Sequence, residues 1–166
     1  MKDVFGKALL DYQNGISTGS LPENIITSTS ISDEDELPLA YLFRSFKEMP
    51  KLEQKALKLV KGKVLDVGCG SGSHSLYLQD KGIEIKAIDI SEGAIEVTKR
   101  RGVKHGEVLN VLDETESFDT ILLLMNGTGI FQEIKNVSIY LKHLKSLLNS
   151  GGQILIDSSD IKYMYE

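Results

Sequence analysis

Two acidic residues flank a run of glycines in the middle of the chain. Asp66 lies in Val64-Leu65-Asp66-Val67, and Gly68-Cys69-Gly70-Ser71-Gly72 follows directly. Asp89 closes the next apolar run, Ile85-Lys86-Ala87-Ile88. Glycines at this spacing remove the side chains that would hold a ligand away from the backbone. Where a helix begins just after them, its free N–H groups face that ligand. A carboxylate about 20 residues further on can accept hydrogen bonds from a pair of ribose hydroxyls. Together these residues imply a ligand held against a glycine turn beside a carboxylate.

The elements that must position them follow from pattern. Short apolar runs at 63–67, 84–89, 106–111, 118–125 and 153–157 read as buried parallel strands. Helical spacing appears at about 73–81, 92–100 and 133–148, with Ser91 as an N-cap and Gly102 beyond the second helix. Before residue 61 the reading is a helical extension. It comprises a helix over 3–12 capped by Asp3, a loop over 13–24 and a weak extended segment from Ile25 to Ile31. An acidic solvated turn over 32–36 follows, and then a helix after Pro50 with a stripe of Leu52, Ala56, Leu57 and Val60. The expected organisation is thus an extension over 1–60 and a ligand-binding unit over 61–166, packed as one compact domain.

Composition narrows the function. Of the 166 residues, 41% are hydrophobic and 26% charged, ordinary values for a globular chain. No apolar run approaches the roughly 20 residues needed to span a bilayer, and the N-terminus lacks a secretory core. No membrane partner and a cytoplasmic location are expected. Cys69 is the single cysteine, and with the scattered His74, His105 and His143 it composes no metal site. The net charge of −5 argues against a nucleic-acid partner. Lys99-Arg100-Arg101 reads as cations at a helix C-terminus.

The stretch Val64 to Gly72 resembles the first motif of the class I S-adenosylmethionine-dependent methyltransferases, and Asp89 stands where that family carries its next acid. In the competing dinucleotide pattern G-x-G-x-x-G, the third glycine position falls on Ser73. The resemblance implies an α/β fold: a Rossmann-like, doubly wound, mostly parallel sheet of strand order 3-2-1-4-5, with the ligand between strands one and four. It implies S-adenosylmethionine as cofactor and S-adenosylhomocysteine as product. It assigns the ribose to Asp89, the adenine face to Ile90 and the backbone contacts to Gly68, Cys69 and Gly70. It places Asp66 near the amino end and His74 near the carboxylate end. Asn110, preferred over Asp113, would meet the adenine amino group. Asn126, after the fourth strand, would stand near the transferred methyl. Met125-Asn126-Gly127-Thr128 lacks the Asn/Asp-Pro-Pro-aromatic run of nucleic-acid amino-methyltransferases, so a small-molecule acceptor is expected. Tyr12, Tyr41, Phe43 and Arg44 are the extension's candidates for shaping that pocket. No catalytic residue is assigned, Asp157 included. The alternatives are a cofactor-binding domain without activity and a nicotinamide-dependent oxidoreductase.

Family members continue past the fifth strand with a helix and two further strands. Only Ser158 to Glu166 follow Asp157 here, so strands six and seven are expected to be missing from a C-terminally truncated chain. The exposed edge of strand five would then be covered by the tail Ile161 to Tyr165, or by a second copy in a homodimer.

Overall fold

The computed structural model describes residues 2–19, 24–29 and 32–160. The chain opens with α1 (Val4–Thr18), then the strands β1 (Asn24–Thr29) and β2 (Ser32–Pro38) and the short helix α2 (Leu39–Leu42). The helix α3 (Lys51–Leu59) leads into the alternating part: β3 (Val64–Val67), α4 (Ser73–Asp80), β4 (Ile85–Asp89), α5 (Glu92–Arg100), β5 (Gly106–Val108), β6 (Phe118–Leu123), α6 (Val137–Ser146) and β7 (Leu148–Ile156).

The main sheet is parallel, with order β5-β4-β3-β6-β7. Numbered from β3, that is 3-2-1-4-5, and the topology is Rossmann-like. All four residues of β3 are buried, as a strand covered on both faces must be. Its alternation sorts the core into two layers. Leu65 and Val67 pack with Ile121, Leu123, Phe131, Tyr140 and Leu144. Val64 packs with Ile85, Leu78, Leu122, Leu57 and Met49.

The expected absence of strands six and seven is corrected. In chain order the sixth and seventh strands are β6 and β7, and both pair in the parallel sheet, Leu122 against Asp66 and Leu155 against Leu122. The expectation failed on the count: residues 24–38 hold two strands where it had only a weak extended segment and a turn. The N-terminal part is accordingly not purely helical. β1 and β2 form an antiparallel hairpin, with Ile25 opposite Leu37 and Thr27 opposite Asp35. The acidic run is strand because cross-strand bonding, including Asn24 Nδ2 donating to Glu36 Oε2 at 2.5 Å, holds it extended while Glu34, Asp35 and Glu36 stay in water. In the described residues β7 pairs only with β6; the tail Ile161 to Tyr165 lies outside them.

One helical face is rotated from the expected stripe, and a second turns one of its leucines to solvent. In α3, Leu52 is 61% exposed while Glu53 is buried. In α6, Leu141 faces outward and Tyr140 and Leu144 fill the core.

Candidate functional site

The glycine turn crosses the C-terminal ends of β3 and β4. Gly68, Gly70 and Gly72 all have positive φ, at 73°, 55° and 80°. Gly72 has a packing reason: a Cβ there would press on Thr98 Cγ2 and Oγ1 at 3.0 Å. Thr98 supports the turn from below, its hydroxyl donating to the Gly70 carbonyl at 3.0 Å and lying 3.7 Å from Cys69 Sγ. Gly70 has a different reason. A Cβ there would meet only Phe5 Cζ, at 4.0 Å, so the space in front of this residue is open.

The Asp89 carboxylate sits beside the turn. Oδ2 accepts the Gly70 N–H at 3.0 Å and Oδ1 the Ser91 N–H at 2.9 Å. Burial pushes its carboxyl above the usual range, against those two hydrogen bonds. Asp66 lies deeper, its Oδ2 accepting from Ser75 Oγ at 2.6 Å; burial raises it too. Burial and the two aspartates push the Cys69 thiol well up, which disfavours its thiolate form.

Two cavities meet at Gly68. One, of about 260 Å³, runs from Asp89 and Ile90 past Leu109 and Asn110 to Ile130 and Tyr140. Ile90 is 72% exposed there. The other, of about 240 Å³, lies over Gly70 and Ser71 and is walled by Phe5, Leu42, Arg44, His74 and Met125.

The predicted residues divide accordingly. Gly68, Asp89, Ile90 and Asn110 line the first cavity; Gly68, Cys69, Gly70 and His74 line the second. Asp66 lies behind the turn, 2% exposed. Asn110 caps the 3-10 turn after β5 by accepting from the Leu112 N–H, whereas Asp113 points to solvent and lines neither cavity. Asn126 also lines neither. It has φ 64°, and its side chain accepts at 3.4 Å from Thr128 Oγ1 and from the Ser159 N–H. Its neighbour Met125 faces the second cavity instead. Asp157 anchors this turn by accepting from the Met125 and Gly127 N–H groups at 3.0 and 2.8 Å.

Of the extension's candidates, Arg44 reaches the second cavity, while Tyr12 and Phe43 pack on each other and line neither cavity. Glu53 was missed. It is buried between Arg44 Nη2, 2.5 Å from each oxygen, and His74 Nε2 at 2.8 Å. Burial acts to raise the Glu53 carboxyl, and the bonds from His74 and Arg44 outweigh it and hold it below the usual range. Arg101 was missed as well. Its Nη1 donates to the Ser71 carbonyl at 2.7 Å and to Ser73 Oγ at 3.0 Å, and its Nη2 to the Phe43 carbonyl at 3.2 Å. It ties the end of α2 to the glycine turn. No sequence signal separated it from its cationic neighbours.

Fold and site together define a Rossmann-like α/β domain with a glycine turn between two cavities, and comparison with known proteins specifies its family. Residues 40–163 match the model of a family described as a methyltransferase domain. The chain belongs to this family, the S-adenosylmethionine-dependent methyltransferases. A crystal structure of a methyltransferase from Bacteroides fragilis, in complex with S-adenosyl-L-homocysteine, superposes with a TM-score of 0.91 at 44% identity, over 98% of this chain and 67% of that one. A malonyl-[acyl-carrier protein] O-methyltransferase from Serratia marcescens is 24% identical over 57% of this chain and 37% of its own length. A ubiquinone biosynthesis O-methyltransferase from Rickettsia conorii is 25% identical over 65% of this chain and 38% of its own. The chain thus spans well under half the length of these two curated relatives. Among the described residues no helix is long and apolar enough to cross a membrane.

Proposed function

We propose that the chain binds S-adenosylmethionine across the two cavities and directs its methyl group to a small-molecule acceptor. The observation that carries this reading is the open space in front of Gly70, whose N–H binds the Asp89 carboxylate, with Gly70 in one cavity, Asp89 in the other and Gly68 shared by both. Asp89, with lone pairs left after its two backbone bonds, accepts from the ribose hydroxyls. Ile90 packs on the adenine face and Asn110 meets its amino group. The backbone of Gly68, Cys69 and Gly70 approaches the sugar and the methionine portion, Asp66 orders the turn from behind, and His74 stands toward the carboxylate end. The sulfonium, when bound, supplies an activated methyl for in-line displacement. The chain's contribution is orientation and exclusion of water by Phe5, Leu42 and Met125. The small-molecule acceptor is favoured by the ubiquinone biosynthesis O-methyltransferase relative and by the turn at Met125-Asn126, which carries no proline or aromatic residue.

Calorimetric titration with S-adenosylhomocysteine and, separately, with NAD tests the cofactor. The expected outcome is saturable binding of the first and none of the second. A screen of hydroxylated and carboxylated small molecules with labelled methyl donor then tests transfer. Binding of NAD alone would point to the oxidoreductase alternative, and cofactor binding with no acceptor turned over to a domain without activity of its own.

A further inference from the structure

Asp3 does more than cap the helix it precedes. Its Oδ1 accepts the Gly6 N–H at 2.8 Å, the ordinary cap of α1. Its Oδ2 accepts the Gly93 N–H at 3.0 Å and Ser91 Oγ at 2.8 Å, both at the start of α5. One carboxylate therefore serves the N-termini of two helices, where negative charge is favoured. Burial acts to raise its pKa, and the bonds from Gly93, Gly6 and Ser91 outweigh it and hold it below the usual range. Ser91 is also the residue whose N–H binds Asp89 Oδ1. A chain of hydrogen bonds thus runs Asp3–Ser91–Asp89–Gly70.

The crossing of the helices is as close as the backbones allow. A Cβ on Gly93 would lie 2.5 Å from the Gly6 carbonyl carbon, and one on Gly6 would collide with Ser91 Oγ and the Asp3 carboxylate. Leu9 and Tyr12 of α1 pack against Ala94 and Val97 of α5. Docked in this way, α1 carries Phe5 to the wall of the second cavity, opposite Gly70.

We propose that Asp3 is a positioning residue that couples the docking of α1 to cofactor binding, holding Ser91, and through it Asp89, in the geometry that receives the ribose. The inference rests on the cofactor reading given above. A cofactor that binds the docked state better must in turn tighten the docking, because such coupling is reciprocal.

Two variants and two readouts test it. Asp3→Ala removes the shared carboxylate. Gly93→Ala leaves the carboxylate and raises the intrinsic helix propensity of α5, but blocks the crossing at the Gly6 backbone. Amide hydrogen exchange in α1 and calorimetric binding of S-adenosylhomocysteine are measured on each full chain. Both variants should exchange faster in α1 and bind about tenfold more weakly, within the roughly 5- to 150-fold range usual for coupled sites. In the unmodified chain, S-adenosylhomocysteine should slow exchange in α1. Faster exchange with unchanged affinity in both variants would reduce α1 to a passive cover and overturn the proposal. Unchanged exchange in Asp3→Ala would overturn it by showing that the carboxylate does not fasten α1. If the unmodified chain binds no S-adenosylhomocysteine, the cofactor reading itself fails, a result distinct from either of these.

Discussion

Carboxylates gather at both ends of the parallel sheet, and the two ends treat them in opposite ways. At the C-terminal ends of β3 and β4, Asp66 and Asp89 have no lysine or arginine bridging them among the described residues. They are met by neutral donors, and burial pushes both carboxyls up. At the N-terminal ends, Lys63 pairs with Glu84 and Glu116, and Lys86 with Glu107, Glu114 and Glu116, at 2.7–3.6 Å. Burial acts to lower the Lys86 ammonium, and its glutamates more than reverse this. The cavity over the paired end is the larger, about 530 Å³. Size does not mark the proposed site here. The paired end has spent its charges on one another, whereas the other end keeps acceptor capacity beside open backbone.

The comparison predicts which substitutions touch binding and which touch only the fold. The largest effect on binding belongs to Gly70→Val. Its side chain would enter the open space of the site at φ 55°, so calorimetry should detect no S-adenosylhomocysteine binding. The conformational cost should be about 1–3 kcal/mol, leaving a folded domain by circular dichroism. Normal binding by this variant would make the glycine turn structural only. Asp89→Ala comes next, weakening binding by about 1.5–3 kcal/mol, the range for hydrogen bonds to a charged group. An unchanged dissociation constant in the folded variant would remove Asp89 from the ribose.

Lys86→Ala should behave in the converse way. It leaves the Glu114 side chain, 2% exposed, without its cation, and denaturant titration should show a loss of about 1–3 kcal/mol. Cofactor affinity should not change; a parallel loss of affinity would blur the distinction between the two ends. The smallest effect is on acid stability. Hydrogen bonds from Lys63 and Lys86 depress the Glu116 carboxyl from 4.5 to about 2. Because the folded value is the lower one, the contribution is full above 4.5 and is lost as pH falls toward about 2. In Lys86→Ala the folded value rises back toward 4.5, so the acid limb should shrink, its lower end moving up in pH. A limb that stays in place would show that the pairing is not felt in solution.

What could be read from the sequence was what neighbours along the chain decide. The glycine turn, Asp66 and Asp89 sit at strand ends that local pattern locates, and Asn110 was preferred to Asp113 on the same ground. What could not be read was what tertiary contact decides. Glu53 looks like a surface residue of an amphipathic helix until Arg44 and His74 come to it from other elements. Arg101 is one cation in a cluster of three until Phe43 and Ser71 fold beneath it. The capping role of Asp3 was legible, because Gly6 is three residues on; its bonds to Ser91 and Gly93 were not. The hairpin was hidden because Ser32 to Glu36 has the composition of a solvated turn, and only pairing with β1 makes it a strand. Asn126 was expected near the transferred methyl from its place after β6; the turn held by Asp157 turns Met125, and not Asn126, to the second cavity.

A crystal structure of the full chain grown with S-adenosylhomocysteine tests the central claim most directly. The account predicts both ribose hydroxyls within hydrogen-bond distance of the Asp89 carboxylate, with adenine between Ile90 and Asn110 and the amino-acid end over Gly70. A nucleoside lodged in the larger cavity beside Lys86, or one bound away from Asp89, would contradict it.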